Sequence, residues 1–327
     1  YKSVRYFHLG KIFRTNIYSF LTVYSTLLAS IATNYSIFDF HREKVNLIDI
    51  KKQKLTETEL KKIEESAQKT TFYLYTRSNP LIGQQLLIDN LDSVKESFWN
   101  PAHPTRLVTH GWLGNSEEPS CTQIRDAYLK TSDYNVIAID WREAATLWKS
   151  VPHVSQRVAS LINFLKNNAG LNPNKTTMIG FSLGAHVVSL GARFASSEIG
   201  EVVALDPPGP KFESEGPGKR VDKSDAAIVQ VIHTCIKCLS MKSAVGTSDF
   251  YLNGGEEQPG CGPIRWIGDV KAMICSHSRA FLYYAESIVN PAGFRAGNVF
   301  MGGLFLDPNA RGTYFLRTAS KSPFALG

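Results

Sequence analysis

The pentapeptide Gly180-Phe181-Ser182-Leu183-Gly184 is the part of this sequence best suited to chemistry. An apolar, strand-like run over 177–181 leads into Ser182, and a helical run of small residues over 185–195 leads out. A turn that sharp forces its central residue into a strained backbone, and its neighbours must lack side chains for strand and helix to approach. The serine hydroxyl is lifted above the carboxyl edge of a sheet, and the first N–H groups of the helix face any developing oxyanion. About one chain of this length in ten carries the bare pattern by chance, so the flanking strand and helix count for more than the pentapeptide. The plainer alternative is a tight turn within a β–α unit.

A hydroxyl becomes a useful nucleophile when a base takes its proton. Of eight histidines, His277 follows the serine in the order Ser, acid, His that α/β-hydrolases use. His110 precedes the serine and does not fit that order. His103 and His153 fall in Pro-bearing loops, His186 lies on the serine's own helix, and His233 ends a strand; all four read as solvated or structural. His8 and His41 belong to the N-terminal segment. The acid should end a strand after Ser182. Asp206 does so after the run Val202-Val203-Ala204-Leu205, one helix-plus-strand unit on from the serine. Its task would be to orient and stabilise the imidazole. Asp222, Asp225 and Asp249 are its rivals.

The elements that must position these groups are legible as an alternation. Strand-like runs cover 72–76, 85–89, 106–109, 135–141, 177–181, 202–205 and 228–232, and helical runs cover 121–130, 154–168, 185–195 and 276–288. Two antiparallel-looking strands come first and β and α then alternate. That order predicts an α/β fold, with a mostly parallel central sheet and helices on both faces. No solenoid repeat or low-complexity block interrupts it.

The N-terminal region has a different character. Residues 1–32 carry Lys2, Arg5, Lys11 and Arg14, no acid, an apolar run over 17–31 and a small-residue end at Ser30-Ile31-Ala32. This reads as a secretory signal peptide cut after Ala32, with a single membrane anchor as the alternative. Residues 33–70 form a charged leader, expected to be solvated, in which Thr56 and Glu59 suggest a capping box and Leu55 and Leu60 a hydrophobic staple. The domain proper is expected over 71–327. The whole chain has 36 basic and 29 acidic residues, net +7; without the signal 32 basic residues remain, net +3. A charge that small gives no case for a nucleic-acid partner.

Five cysteines (121, 235, 238, 261 and 275) suit an oxidising compartment but leave one over. Cys235 and Cys238 read as a local disulfide rather than half of a zinc site, because no second pair has that spacing. Asn34 and Asn174 begin sequons for glycosylation.

Taken together, Val108-Thr109-His110-Gly111-Trp112, Ala138-Ile139-Asp140-Trp141, Gly180-Phe181-Ser182-Leu183-Gly184-Ala185-His186, Leu205-Asp206-Pro207-Pro208-Gly209-Pro210, Asp249-Phe250-Tyr251-Leu252-Asn253-Gly254-Gly255, Gln258-Pro259-Gly260-Cys261 and Cys275-Ser276-His277-Ser278-Arg279-Ala280 resemble the secreted lipase family that contains pancreatic lipase. The resemblance runs in family order from about residue 72 to the C-terminus. It implies the α/β-hydrolase fold, a Ser182–Asp206–His277 triad, and an oxyanion hole from the backbone N–H groups of Trp112 and Leu183. It implies that Cys261 and Cys275 pair to close a lid. The 13 residues of 262–274 include Ile264, Trp266, Ile267, Val270, Ala272, Met273 and Ile274, an apolar set that should cover the site in water and open on lipid. Both this lid and the loop 235–248 are short, which resembles the phospholipase A1 branch that includes wasp-venom enzymes. A short cover leaves room for a polar head group.

Several features depart from pancreatic lipase. Phe181 stands where that enzyme has His. The C-terminal β-sandwich of that enzyme is not seen before the chain stops at Gly327, so colipase is not expected as a partner. Asp222 and Asp225 match the family's structural calcium ligands, with Arg220 offering a carbonyl; the surrounding loop differs, so a solvated charged loop is the expectation and no cofactor is required. The leading expectation is a secreted hydrolase of fatty-acyl esters at a lipid surface, phospholipid first and triacylglycerol second. A non-catalytic lipid-binding or yolk-storage protein and a soluble carboxylesterase are the competing readings.

Overall fold

Alternate residues of a strand face opposite sides of its sheet, and here both sides are apolar. The computed structural model describes residues 55–238, 240–265 and 269–327. The expected signal peptide, the Asn34 sequon, and Trp266 and Ile267 of the expected lid lie outside the described residues. The strands are β1 (Thr71–Tyr75), β2 (Gln84–Leu86), β3 (Thr105–Thr109), β4 (Asn135–Asp140), β5 (Thr176–Phe181), β6 (Glu201–Leu205), β7 (Ile228–His233), β8 (Ser248–Leu252), β9 (Arg295–Ala296), β10 (Val299–Phe300) and β11 (Gly312–Leu316). Among the described residues, nine of them form one sheet in the order β11-β8-β7-β6-β5-β3-β4-β1-β2, and β9 and β10 form a small pair of their own. Contacts from β11 to β4 are parallel, and β1 joins β4 and β2 antiparallel. This is the α/β-hydrolase architecture that the alternation predicts. The strands β8 and β11 were not among the predicted ones.

The helices are α1 (Glu57–Gln68), α2 (Leu91–Lys95), α3 (Pro119–Thr131), α4 (Val151–Ala169), α5 (Leu183–Phe194) and α6 (Val270–Val289). Leu107, Ile137, Ile139, Met178 and Val202 point into a core shared with Val154, Leu161, Val187 and Leu190 of α4 and α5. Their neighbours Val108, Val136, Ala138, Ile179 and Val203 point into a second core with Ile124, Tyr128, Ala280 and Tyr284 of α3 and α6. A one-residue slip in any of these strands would exchange the two cores, so the register is strongly fixed.

The leader is not wholly solvated. Thr56 and Glu59 form the capping box that their spacing suggests. Leu60 remains exposed, but Ile63 and Ala67 are buried and α1 packs on α4. Ile63 and Ala67, four residues apart on one helical face, therefore dock α1 on the domain.

Candidate active site

Ser182 stands between the last residue of β5 and the first of α5, with φ 55° and ψ −126°. That conformation is rare for a residue with a side chain. The glycines around it show why the turn needs them. A methyl group on Gly180 would lie 2.1 Å from the carbonyl oxygen of Gly184, and one on Gly184 would lie 2.3 Å from the carbonyl oxygen of His110. A methyl on Gly111 would meet Ser182, 2.7 Å from Cβ and 3.3 Å from Oγ. The serine turn and the loop after β3 are thus pressed together, backbone against backbone. The N–H of Ser182 continues the sheet by donating to the Leu205 carbonyl at 2.8 Å.

Asp206 follows β6 at the same sheet edge, also with positive φ (48°), and is fully buried. Its Oδ1 accepts the N–H groups of Thr234 at 2.7 Å and Cys235 at 3.1 Å. Its Oδ2 accepts from Nδ1 of His277 and from the Ser240 hydroxyl, each at 2.5 Å. The carboxylate therefore has its acceptor sites filled, as a buried charge requires. With Nδ1 of His277 committed to Asp206, Nε2 is the nitrogen left to take a proton from a serine. The His277 ring lies 4.5 Å from that of Phe181, the residue before Ser182. Phe181 thus supplies an apolar floor for the imidazole.

Of the rival acids, Asp249 pairs with a different histidine. It accepts from Nε2 of His233 at 2.9 Å, while Nδ1 of that ring faces the Met241 carbonyl at 3.1 Å. Both nitrogens are occupied and buried, so this pair is structural. His186 is also packed: it stacks on Phe212 at 3.8 Å, and burial lowers its pKa to about 3. His110 is buried and contacts the loop beside Ser182. Ser240 was not singled out by sequence, since nothing local marks a serine that reaches a carboxylate 34 residues away.

The backbone positions expected to hold an oxyanion flank the serine. Leu183 opens α5, and Trp112 follows Gly111 in the loop after β3. Cys261 and Cys275 form a disulfide, as do Cys235 and Cys238. Cys121 is buried, and burial holds its thiol far above the usual range, so it is inert. The stretch 262–274 is not all loop, because α6 begins at Val270 and runs through Cys275 to His277. Val270, Met273, Ile274 and His277 recur at helical spacing, a signal present in the sequence. Met273 is buried against Trp112, Cys238, Ile264, Val270 and Ile274. Met273 of the expected cover therefore rests on the residue whose N–H is an expected oxyanion donor.

The expected solvated loop at Asp222 and Asp225 has a different form. Asp225 is buried, and burial raises its carboxyl above the usual range. Its Oδ2 accepts from Ser189 at 2.5 Å and from the Asp222 N–H at 2.9 Å, and its Oδ1 accepts from Arg193 at 3.3 Å. Arg220 lies 3.5 Å from Asp222. Guanidinium groups and protein donors hold the carboxylates that a calcium ion would need, so this arrangement does not fit a bound ion. Among the described residues, no group of three or more His, Cys, Asp or Glu could hold a metal.

A family model described as Lipase matches residues 38–299. The chain is 35% identical over 246 residues to pancreatic lipase-related protein 2 of Myocastor coypus, covering 69% of this chain and 52% of that protein. It is 33% identical over 261 residues to lipase member H of Danio rerio, covering 77% and 55%. It is 33% identical over 227 residues to phospholipase A1 member A of Bos taurus, covering 68% and 49%. The chain spans about half the length of the curated relatives it matches.

Proposed function

The chain belongs to the lipase family, and from that premise we propose that it hydrolyses fatty-acyl esters of glycerolipids at a lipid surface. The observation that carries the reading is the Asp206–His277 pair set beside Phe181 and the strained Ser182. Nε2 of His277 takes the proton as Ser182 Oγ bonds to the ester carbonyl carbon. The N–H groups of Trp112 and Leu183 stabilise the carbonyl oxygen as it becomes an oxyanion. The tetrahedral adduct collapses, its C–O bond breaks, and the imidazolium hands its proton to the departing alkoxide. Water, activated by His277, then attacks the acyl-enzyme and frees the fatty acid and Ser182.

The substrate we favour is a glycerophospholipid cleaved at its first acyl position. Support comes from the shortness, in sequence, of the loop 235–248 and of the stretch 262–274. Likeness to both pancreatic lipase-related proteins and phospholipase A1 member A keeps triacylglycerol as the second substrate. The basic, apolar segment 1–32 and two disulfides support secretion. Among the described residues, no helix is long and apolar enough to cross a membrane. A non-catalytic storage role is disfavoured by Ser182, Asp206 and His277 all being present.

The test is fluorophosphonate labelling together with fatty-acid release from phosphatidylcholine and from triolein. We expect an adduct on Ser182 and faster release from phosphatidylcholine. Absence of any adduct on folded protein would remove the hydrolase reading. Cleavage of triolein alone would remove the phospholipid preference.

A further inference from the structure

We infer that His110 is a positioning residue for the oxyanion hole; this rests on the hydrolase reading above. Its ring nitrogens have fixed, opposite partners. Nδ1 lies 2.9 Å from the carbonyl oxygen of Gly111, which can only accept. Nε2 lies 3.1 Å from the backbone N of Trp141, which can only donate. The neutral ring with its proton on Nδ1 satisfies both contacts, and no other protonation state does. Asp140 lies 3.7 Å from Nε2, but its oxygens are already held by Arg142 and Ser116. An imidazolium would have to point its Nε2 proton at the N–H of Trp141, so we assign the neutral ring. The Trp141 indole completes the clamp by donating from Nε1 to the His110 carbonyl at 3.2 Å, with the two rings stacked 5.4 Å apart.

The Gly111 carbonyl belongs to the same peptide unit as the N–H of Trp112. In a planar trans peptide the two point in opposite directions. A donor fixed on the carbonyl therefore fixes the direction of the N–H. Gly111 Cα sits against Ser182, since a methyl there would lie 3.3 Å from Oγ. His110 thus holds, from behind, the peptide that faces the nucleophile. Gly114 N–H adds a second bond to the same carbonyl at 3.2 Å. Leu113, held at φ 54°, ties the loop to Ala145 at 3.0 Å. An oxyanion donor is effective when it needs no reorganisation at the moment of reaction, and this clamp removes the freedom of the peptide to rotate.

Two isosteric variants separate this role from mere packing. In His110→Asn the amide nitrogen takes the place of Nδ1 and can still donate to Gly111. In His110→Gln the amide reaches the place of Nε2 and leaves the Gly111 carbonyl without its side-chain donor. On a soluble short-chain ester, His110→Gln should lose about 100-fold in kcat with KM nearly unchanged, and His110→Asn no more than about tenfold. Affinity for an alkyl boronic acid, which forms a tetrahedral adduct with Ser182, should fall by the same factor as kcat/KM. On unmodified protein with 15N-labelled histidine, long-range 1H–15N NMR at pH 8 should show His110 protonated at Nδ1 alone. Equal loss in the two folded variants, or a proton on Nε2, overturns the inference. The NMR measurement needs no substitution, so it decides even where a variant fails to fold. Wild-type protein inert to ester and to fluorophosphonate would instead overturn the hydrolase reading, and the positioning role of His110 with it.

Discussion

Two buried carboxylates in this molecule are built alike and do different work. Asp206 and Asp225 each accept a serine hydroxyl at 2.5 Å and backbone N–H donors as well. They differ in the cationic partner. Asp225 faces the guanidinium of Arg193, which keeps its charge at every relevant pH and so acts as a permanent pin. Asp206 faces His277, which can gain and lose a proton and so can act in a reaction cycle. The lesson is that hydrogen bonds and a cationic partner hold a buried carboxylate against the cost of burial, and the partner's ability to titrate makes a useful one.

The comparison is broken most severely by Asp206→Asn. This variant should retain its fold but lose about 10⁴ in kcat, because the amide can favour the wrong tautomer of His277. Ester turnover alongside a thermal melt would check both halves.

Next is Arg193→Met, which should leave kcat unchanged and lower stability by about 2 kcal/mol at pH 7. Loss of a partner to a fully buried charge costs more, but Arg193 is partly exposed and its attraction is screened. The pH dependence has a definite sign. Burial already raises the folded carboxyl of Asp225 above its unfolded value, and losing the guanidinium raises it further. The folded state then holds the proton where the unfolded chain has released it. Stability of the variant therefore falls as pH rises from about 4, the unfolded value, and the deficit against wild type should close below it. Urea unfolding at pH 3.5 and 7 checks this.

The paired serines sharpen the contrast at smaller scale. Ser189→Ala should cost about 1–2 kcal/mol in stability without touching kcat. Ser240→Ala should lower kcat about tenfold, equivalent to one lost donor on the carboxylate that steadies His277. Finally, excess chelator should shift the melting temperature by less than about 1 °C, since Arg193 and Arg220 stand where calcium would be needed. A larger fall would restore the ion to that corner.

The sequence made the serine turn legible because its constraint is local: strand, glycines and helix are consecutive. Asp206 and His277 were legible by chain order alone. Strand β8 was hidden because Ser248 and Asp249 are poor strand formers, and the Asp249 carboxylate finds its buried partners only in the fold. The burial of Asp225 was hidden for the same reason, since Arg193 and Ser189 lie more than thirty residues away. The start of α6 is legible in the helical spacing of Val270, Met273 and Ile274, but the cysteines flanking 262–274 match a closed loop equally well. The chain order that excludes His110 as the base says nothing of a positioning role, although its contact with Gly111 is between neighbours in sequence.

Among the described residues, six other than glycine have positive φ, and Leu113, Ser182 and Asp206 are three of them. Each ends the path from a strand at the sheet edge where the proposed triad gathers. Such a conformation disfavours a side-chain-bearing residue by about 1–3 kcal/mol. Glycine at position 182 would adopt the same backbone freely, so the inert protein should be the more stable one. Selection for a sturdier fold would pull this position toward glycine, and on the proposed hydrolase reading selection for turnover is what holds a serine there.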